Sequence, residues 1–117
     1  AISSPITHLA IESVKEYENW GANGIMAITP FYYKCTQDGI VMHFQKIRNS
    51  TSLPIIAYNV PSRTSCNIAE MPKVIDYFNN CDQIVAIKEA DNNLSNCLNH
   101  NKKTKKILTP SFLCLLK

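Results

Sequence analysis

Two side chains with matching positions in the sequence could together perform imine chemistry. Tyr58 and Lys88 lie thirty residues apart, and each is the fifth residue of a short apolar run, 54–59 and 84–89. Desolvation at the end of an apolar strand disfavours the charged ammonium, so Lys88 would offer a neutral amine that attacks a ketone. A tyrosine hydroxyl nearby would pass protons while the imine forms and collapses. The pair therefore predicts a Schiff-base lysine with a proton-relay tyrosine.

Each of these residues also has an ordinary structural explanation. A single lysine at a strand end is often an ion-pair or surface residue, and a single tyrosine is often a packed aromatic. Arg63 follows the Tyr58 run and has a planar guanidinium suited to a carboxylate, but a loop arginine is also often solvated. Spacing alone leaves these alternatives to Lys88, Tyr58 and Arg63 as site residues open.

Apolar runs and the segments between them predict the elements that position these residues. Three short runs, apolar and rich in β-branched residues as buried strands are, start at a constant step of 30 residues: 24–29, 54–59 and 84–89. Segments with helical periodicity alternate with them: 5–20, 36–49 and 67–79. Strands joined by single helices must be parallel, with right-handed crossovers. The sequence therefore predicts an α/β fold with a parallel sheet.

Two architectures use repeated βα units of this kind. A doubly wound sheet normally has a glycine-rich phosphate-binding turn after a strand, and the three glycines, at 21, 24 and 39, do not form one. A (β/α)8 barrel of about 250 residues averages about 31 residues per unit, which is close to the observed step. Since three strands cannot close a barrel, we expect this chain to be an internal fragment of a TIM barrel.

The barrel prediction brings the strand ends together. In such barrels the functional residues lie at the carboxyl ends of the strands, and neighbouring strands are about 4.8 Å apart. Tyr58 and Lys88 occupy the same position of neighbouring strands. We therefore expect the phenol and the amine to meet at the barrel mouth.

The amino-acid sequences of several short segments show a resemblance to a known family. The strings GANGI and TPFYYK (21–25 and 29–34), YNVPSRT (58–64) and IKEA (87–90) occur in this order with near-family spacing. Over about residues 10–93, the chain resembles the dihydrodipicolinate synthase family. This family belongs to the superfamily of pyruvate-dependent class I aldolases, which also includes N-acetylneuraminate lyase. The resemblance corresponds to the third helix through the sixth strand of the barrel.

The resemblance implies a role for each matched residue. Lys88 would form the imine with pyruvate, and Tyr58 would be the proton-relay tyrosine. Tyr32 would reach across a dimer interface into the neighbouring active site, and Arg63 would bind the carboxylate of aspartate semialdehyde. In one departure from the family pattern, Ser65 stands where a glycine usually follows Arg-Thr, and a positive φ there would strain its side chain.

The reaction that the resemblance implies is condensation of pyruvate with L-aspartate semialdehyde to 4-hydroxy-tetrahydrodipicolinate, in lysine and diaminopimelate biosynthesis. It needs no metal or organic cofactor, because the lysine imine is the electron sink. The resemblance also implies a cytoplasmic homotetramer built of two tight dimers, whereas the fragment itself is expected to be inactive. The alternatives are a sister pyruvate lyase such as N-acetylneuraminate lyase, and a non-catalytic remnant that retains the motifs.

Composition and charge divide the chain and exclude some partners. We expect residues 1–93 to form the partial catalytic domain and 94–117 a divergent basic tail, with a mis-terminated reading as an open alternative, because the lysine-rich run 102–106 does not resemble the family's seventh strand. A net charge of +3 is too small to predict nucleic-acid binding, and no apolar run reaches the roughly 18 residues of a membrane span. The cysteines lack zinc-ligand spacing, which predicts reduced thiols and no metal, at 35, 66, 81, 97 and 114.

Overall fold

The computed structural model describes residues 1–90, 93–104 and 106–108, which form a parallel sheet with helices on one face. The four strands pair in chain order, and they are β1 (Ile25–Ile28), β2 (Ile55–Asn59), β3 (Ile84–Glu89) and β4 (Ile107–Leu108). A 3₁₀ helix spans Ile68–Glu70, and the α-helices are α1 (Thr7–Asn19), α2 (Gln37–Asn49), α3 (Pro61–Thr64), α4 (Pro72–Asn80) and α5 (Leu94–Lys103). Within these described ranges, no helix has the length and apolar character that crossing a membrane requires.

The register of the strands confirms the thirty-residue repeat. Ile25 of β1 pairs with Ile55 of β2, and Tyr58 of β2 pairs with Lys88 of β3, in each case thirty positions further along the chain. The register between β2 and β3 shifts once, near the start of β3, where Val85 is an extra and exposed residue. Such a bulge changes the pairing locally and leaves the strand ends aligned.

The core lies between the sheet and the helices. On the helix-facing side, the strand residues are buried and apolar: Ile25, Ala27, Ile55, Ala57, Ile84 and Ile87. Phe44 of α2 and Phe78 of α4 belong to the same cluster and meet edge to face, with ring centroids 4.9 Å apart. The other face of the sheet is more open, since Ile28, Tyr58 and Lys88 are only half-buried there. This open face corresponds to the inside of the predicted barrel.

The helix predicted over residues 67–79 is wrong in its first part. The chain instead forms the 3₁₀ helix, passes through Met71 with φ −116° and ψ 84°, and begins α4 at Pro72. Proline disfavours helical geometry in the residue before it and has no N–H to donate, so Pro72 is suited to the first turn of a helix and not to its interior. One predicted helix is therefore two short ones.

A fourth strand, which was not predicted from the sequence, follows the lysine-rich segment. Helix α5 ends at Lys103, and Ile107–Leu108 then pairs in parallel with β3. The lysines of this segment serve as caps: Lys106 Nζ donates to the carbonyls of Phe78 and Cys81 at the end of α4, at 2.6 and 2.8 Å, and Lys103 Nζ donates to Ala69. Where the catalytic domain ends stays a prediction, and residues 109–117 lie outside the described ones.

Candidate active site

Tyr58 and Lys88 meet on the open face of the sheet. Both lie near the carboxyl ends of adjacent parallel strands, and they are directly paired in the register. The Nζ atom of Lys88 lies 4.7 Å from the centroid of the Tyr58 ring, a cation–π distance. The contact that the structure shows is thus between the amine and the ring face. The predicted convergence of the two side chains is confirmed, and their roles stay a prediction.

Tyr32 and Arg63 share a cleft near the end of β1, and neither Tyr58 nor Lys88 is among its lining residues. They line an open cleft of about 320 Å³ together with Ser3, Ile28 and Phe31, and Ile28 is the register partner of Tyr58. The other sequence-predicted site residues therefore lie at the same end of the sheet as the amine, on the loop that follows β1 and on helix α3.

The guanidinium of Arg63 is available to a ligand. Arg63 is exposed on α3, a helix that Pro61 begins directly after β2. Among the described residues, no carboxylate forms an ion pair with it. An exposed fork of five N–H donors beside a cleft is suited to bind a carboxylate in two parallel hydrogen bonds.

The backbone is strained at two positions near the cleft. Tyr32 has φ 75° and a side chain that is 89% exposed, and its ring stacks at a tilt on Phe31 with centroids 4.8 Å apart. Ser65, directly after α3, is left-handed with φ 55° and ψ 21°, which confirms the positive φ expected where the family pattern has glycine. Left-handed geometry in a residue with a Cβ costs of order 1–3 kcal/mol, so the surrounding structure must hold both turns in place.

Directly behind the reactive pair lies a polar cluster that sequence reasoning missed. Asn59 and Glu89 are the residues after Tyr58 and Lys88, and they are buried on the helix-covered face. Asn59 Nδ2 donates to both carboxylate oxygens of Glu89 at 2.9 Å, and His100 Nδ1 lies 2.7 Å from Glu89 Oε2. One signal was available in the sequence: Asn59 and Glu89 interrupt the apolar alternation on the buried side of two neighbouring strands.

A buried histidine supports the end of β1 from the same side. His43 of α2 is 2% exposed, accepts a hydrogen bond from the hydroxyl of Thr7 at 2.9 Å, and also hydrogen-bonds the backbone of Ile28. Burial lowers the pKa of His43 to about 4, and the backbone hydrogen bond opposes this only in part. The ring is therefore neutral at physiological pH and holds α1, α2 and β1 together.

The cysteines support the expectation of reduced thiols. Cys35, Cys66 and Cys81 are free thiols, Cys97 is buried in α5, and Cys114 lies outside the described residues. Burial raises the pKa of the Cys35 thiol, and the neighbouring Cys66 raises it further. A raised pKa makes the nucleophilic thiolate scarcer, so Cys35 is a poor nucleophile.

Comparison with known proteins identifies the relatives of the chain. The model of the dihydrodipicolinate synthetase family matches residues 2–113, beyond both ends of the 10–93 segment that carries the motifs. The 4-hydroxy-tetrahydrodipicolinate synthase of Alkaliphilus oremlandii is 42% identical over 95 residues, which are 81% of this chain and 32% of that protein. The chain thus spans about a third of the length of the curated relatives it matches.

Solved structures of the same kind confirm the predicted fold class, a part of a (β/α)8 barrel. A crystal structure of dihydrodipicolinate synthase has a TM-score of 0.81 and 39% identity, and the alignment covers 92% of this chain and 38% of that one. The 4-hydroxy-tetrahydrodipicolinate synthase of Methylacidiphilum fumariolicum SolV has a TM-score of 0.80 and 33% identity, with 92% and 37% covered. The parallel strands and their helices therefore correspond to about a third of such a chain.

Proposed function

Because this chain belongs to the dihydrodipicolinate synthetase family, we propose that the whole protein condenses pyruvate with L-aspartate semialdehyde to 4-hydroxy-tetrahydrodipicolinate, in lysine and diaminopimelate biosynthesis. The observation that carries the proposal is the position of the Lys88 amine, 4.7 Å from the Tyr58 ring at the carboxyl ends of adjacent parallel strands. In a barrel of this class that edge of the sheet is where chemistry takes place.

Lys88 is the residue that carries the bond changes. Its neutral amine adds to the ketone carbon of pyruvate, and loss of water gives an imine. A proton then leaves the methyl carbon, and the resulting enamine attacks the aldehyde carbon of the semialdehyde, so that one carbon–carbon bond forms. The amino group of the semialdehyde portion then adds to the imine carbon and displaces the Lys88 amine, which closes the ring and releases the product. The imine nitrogen accepts the electron pair during this sequence, which is why the reaction needs no metal or organic cofactor.

Tyr58 supplies proton transfer beside that amine. Imine formation requires a proton on the leaving hydroxyl and removal of one from nitrogen, and a phenol within reach serves both steps. The stacked ring also favours a cation next to it, because its π face carries negative charge. The protonated imine is such a cation, so the ring face of Tyr58 beside Lys88 stabilises the intermediate.

In this proposal Arg63 binds the second substrate, and Tyr32 takes part in the contact between subunits. The exposed guanidinium beside the cleft binds the carboxylate of aspartate semialdehyde. Tyr32, 89% exposed and fixed in a left-handed turn, reaches the active site of a neighbouring subunit. The whole protein is then a cytoplasmic homotetramer built of two dimers.

The position of Arg63 favours the synthase over the sister lyase. N-acetylneuraminate lyase activity is the enzyme alternative, and the family pattern of sialic-acid lyases has no arginine at this point. A non-catalytic remnant is the other alternative, since the chain spans about a third of its relatives. Activity of the whole protein with pyruvate plus aspartate semialdehyde, measured beside cleavage of N-acetylneuraminate, separates the three.

Trapping of the imine tests the role of Lys88 directly. Borohydride added to the whole protein with pyruvate should reduce the imine and leave one stable adduct, which peptide mass spectrometry should find on Lys88. Borohydride without pyruvate is the blank, and the peptide with the exposed Lys15 serves as an internal control. An adduct on another lysine, or on none, would contradict the proposal.

A further inference from the structure

The cluster of Asn59, Glu89 and His100 is fully enclosed behind the reactive face. The three residues are 0%, 1% and 0% exposed. They come from the ends of β2 and β3 and from α5, so the cluster joins three elements. Burial of a carboxylate is costly unless hydrogen-bond donors compensate it, so the fold depends on these donors to keep Glu89 buried.

The orientation of the Asn59 amide is fixed by its partners. Its Nδ2 donates to both oxygens of Glu89, and its Oδ1 accepts the backbone N–H of Ile68 at 3.1 Å. The Nδ2 group also lies 3.1 Å from Oδ1 of Asn67, which begins the 3₁₀ helix. Because Asn59 donates to both carboxylate oxygens, Glu89 is the acceptor and Nδ1–H of His100 the donor in the third contact.

The cluster can fix the geometry of the reactive pair because the two sets of side chains are neighbours in the same strands and point to opposite faces. Successive side chains of a strand point to opposite faces, and a slip of one residue would exchange those faces. Asn59 is paired with Glu89 and Tyr58 with Lys88. Hydrogen bonds that hold the first pair together on the covered face therefore also fix where the second pair projects on the open face.

We propose that Glu89, held by Asn59 and His100, is a positioning residue that keeps the amine of Lys88 over the Tyr58 ring. This inference rests on the proposed function for its catalytic meaning, because only an imine-forming lysine gains from a fixed amine. The effect of the cluster on the position and exposure of Lys88 does not depend on that function. When a donor is lost, the strand ends relax, the amine leaves the ring, and it becomes more exposed to solvent while it is less well placed to react with bound pyruvate.

A pair of substitutions at His100 separates the hydrogen bond from simple packing. His100→Leu fills similar space and removes the donor to Glu89, whereas His100→Asn keeps an amide N–H at the position of Nδ1. In the whole protein, competitive acetylation with limiting acetic anhydride and peptide mass spectrometry should show Lys88 about fivefold more reactive relative to Lys15 in the leucine variant. In the asparagine variant the ratio should stay within about twofold of the parent.

A substitution elsewhere in the core serves as the control for a general loss of stability. Val74 of α4 is fully buried in the apolar core, and Val74→Ala leaves a cavity that lowers the melting temperature and removes no hydrogen bond of the cluster. If this variant raises the Lys88 ratio as much as His100→Leu does, or if both His100 variants behave alike, the inference is overturned. Should His100→Leu fail to fold, Glu89→Gln takes its place, and an unchanged Lys88 ratio in that variant overturns the inference equally.

Pyruvate trapping gives a second readout that distinguishes the two proposals. With borohydride and pyruvate, the leucine variant should form the Lys88 adduct about fivefold more slowly than the parent, although its free amine is more reactive toward the anhydride. Opposite changes of the two rates are the signature of lost positioning. A parent protein that forms no adduct contradicts the proposed function, and the acetylation ratios still decide the geometric inference. A leucine variant that forms the adduct at the parent rate overturns the positioning role.

Discussion

The two faces of the sheet differ most at the ends of β2 and β3. On the covered face, Asn59 and Glu89 are fully buried and joined by hydrogen bonds to each other and to α5. On the open face, Tyr58 and Lys88 are half-buried, and the amine rests over the ring. The same two pairs of neighbouring positions thus give a buried, hydrogen-bonded anchor on one side and an accessible nucleophile on the other.

This difference teaches how a reactive side chain can be both accessible and well placed. A lysine has a long flexible stem and loses much rotamer freedom when it is held. Rigid groups on the far side of the backbone can fix the strand without covering the amine. Substitutions on the open face should therefore change chemistry and leave stability nearly unchanged, and those on the covered side should change stability first.

The largest effect is expected for Lys88→Ala in the whole protein. Without the amine no imine forms, so condensation should fall by at least about 10⁴-fold, because no other group replaces a covalent nucleophile. The melting temperature should change little, since Lys88 is half-buried and its amino group lies outside the buried core. The measurements are turnover with both substrates and thermal unfolding by circular dichroism.

Lys15→Ala is the matched control for that experiment. Lys15 is exposed on α1, far along the chain from the strand ends, and its removal should leave both quantities at parent values. If Lys88→Ala lost stability and kept turnover, the assignment of the open face to chemistry would be wrong.

Tyr58→Phe should have the second largest effect. The ring and its contact with Lys88 remain, and only the hydroxyl is lost, so turnover should slow by about 10²–10⁴-fold if the phenol transfers protons. Tyr33→Phe is a suitable control, because Tyr33 is exposed and, among the described residues, its hydroxyl donates only to the carbonyl of Pro5. Equal rates in the parent and Tyr58→Phe would restrict Tyr58 to packing and cation–π contact.

The sequence was informative about the repeat and less so about its connections. A step of thirty residues is visible because buried parallel strands are continuous apolar runs, and it correctly paired Tyr58 with Lys88. The helix predicted over 67–79 is divided at Pro72, and to predict this the restriction that a proline places on the residue before it had to be given more weight than the helical periodicity. The anchoring by Lys103 and Lys106 depends on where α4 and the 3₁₀ helix end in space, which no local pattern contains.

The buried cluster was hidden for a related reason. Asn59 and Glu89 were visible as polar residues at the ends of apolar runs, but their donor His100 comes from α5, eleven residues after Glu89. Sequence spacing cannot show that a histidine in a lysine- and asparagine-rich helix faces the sheet. The sequence can therefore show that a buried polar residue needs a hydrogen-bond partner, but not which residue that partner is.

Acid should weaken the covered side through His43. Its pKa is lowered from 6.5 to about 4 by burial, so the unfolded chain binds a proton between these values and the folded chain does not. The free energy of unfolding should therefore be unaffected by this group above pH 6.5, fall as the pH decreases from 6.5 to about 4, and lose about 3 kcal/mol in total. Urea unfolding of the whole protein at several pH values measures this.

His43→Gln should flatten that part of the pH dependence, because glutamine does not titrate. The exposed His8 of α1 provides the control, and His8→Gln should leave the curve unchanged. If the parent and His43→Gln lost equal stability between pH 6.5 and 4, the neutral buried ring would not be the acid-sensitive element of the covered side.

The smallest effect is expected at the turn that connects the two sides. Ser65 lies between Arg63, which faces the cleft, and Asn67, which contacts Asn59. Its left-handed backbone favours glycine, so Ser65→Gly should relieve strain and raise the free energy of unfolding by about 0.5–1 kcal/mol, after the greater entropy of an unfolded glycine is subtracted.

The same change at Ser50 should have the opposite sign. Ser50 ends α2 with φ −93°, and its hydroxyl donates to the carbonyl of Ile47 at 2.7 Å, so glycine there brings no relief and removes a hydrogen bond. Ser50→Gly should lower the free energy of unfolding by about 1 kcal/mol. If both variants were destabilised equally in urea, the turn at Ser65 would not be strained. If Ser65→Gly were more stable but bound aspartate semialdehyde more weakly, the serine would be needed to hold Arg63 at the cleft, and the strain at this turn would serve the open face.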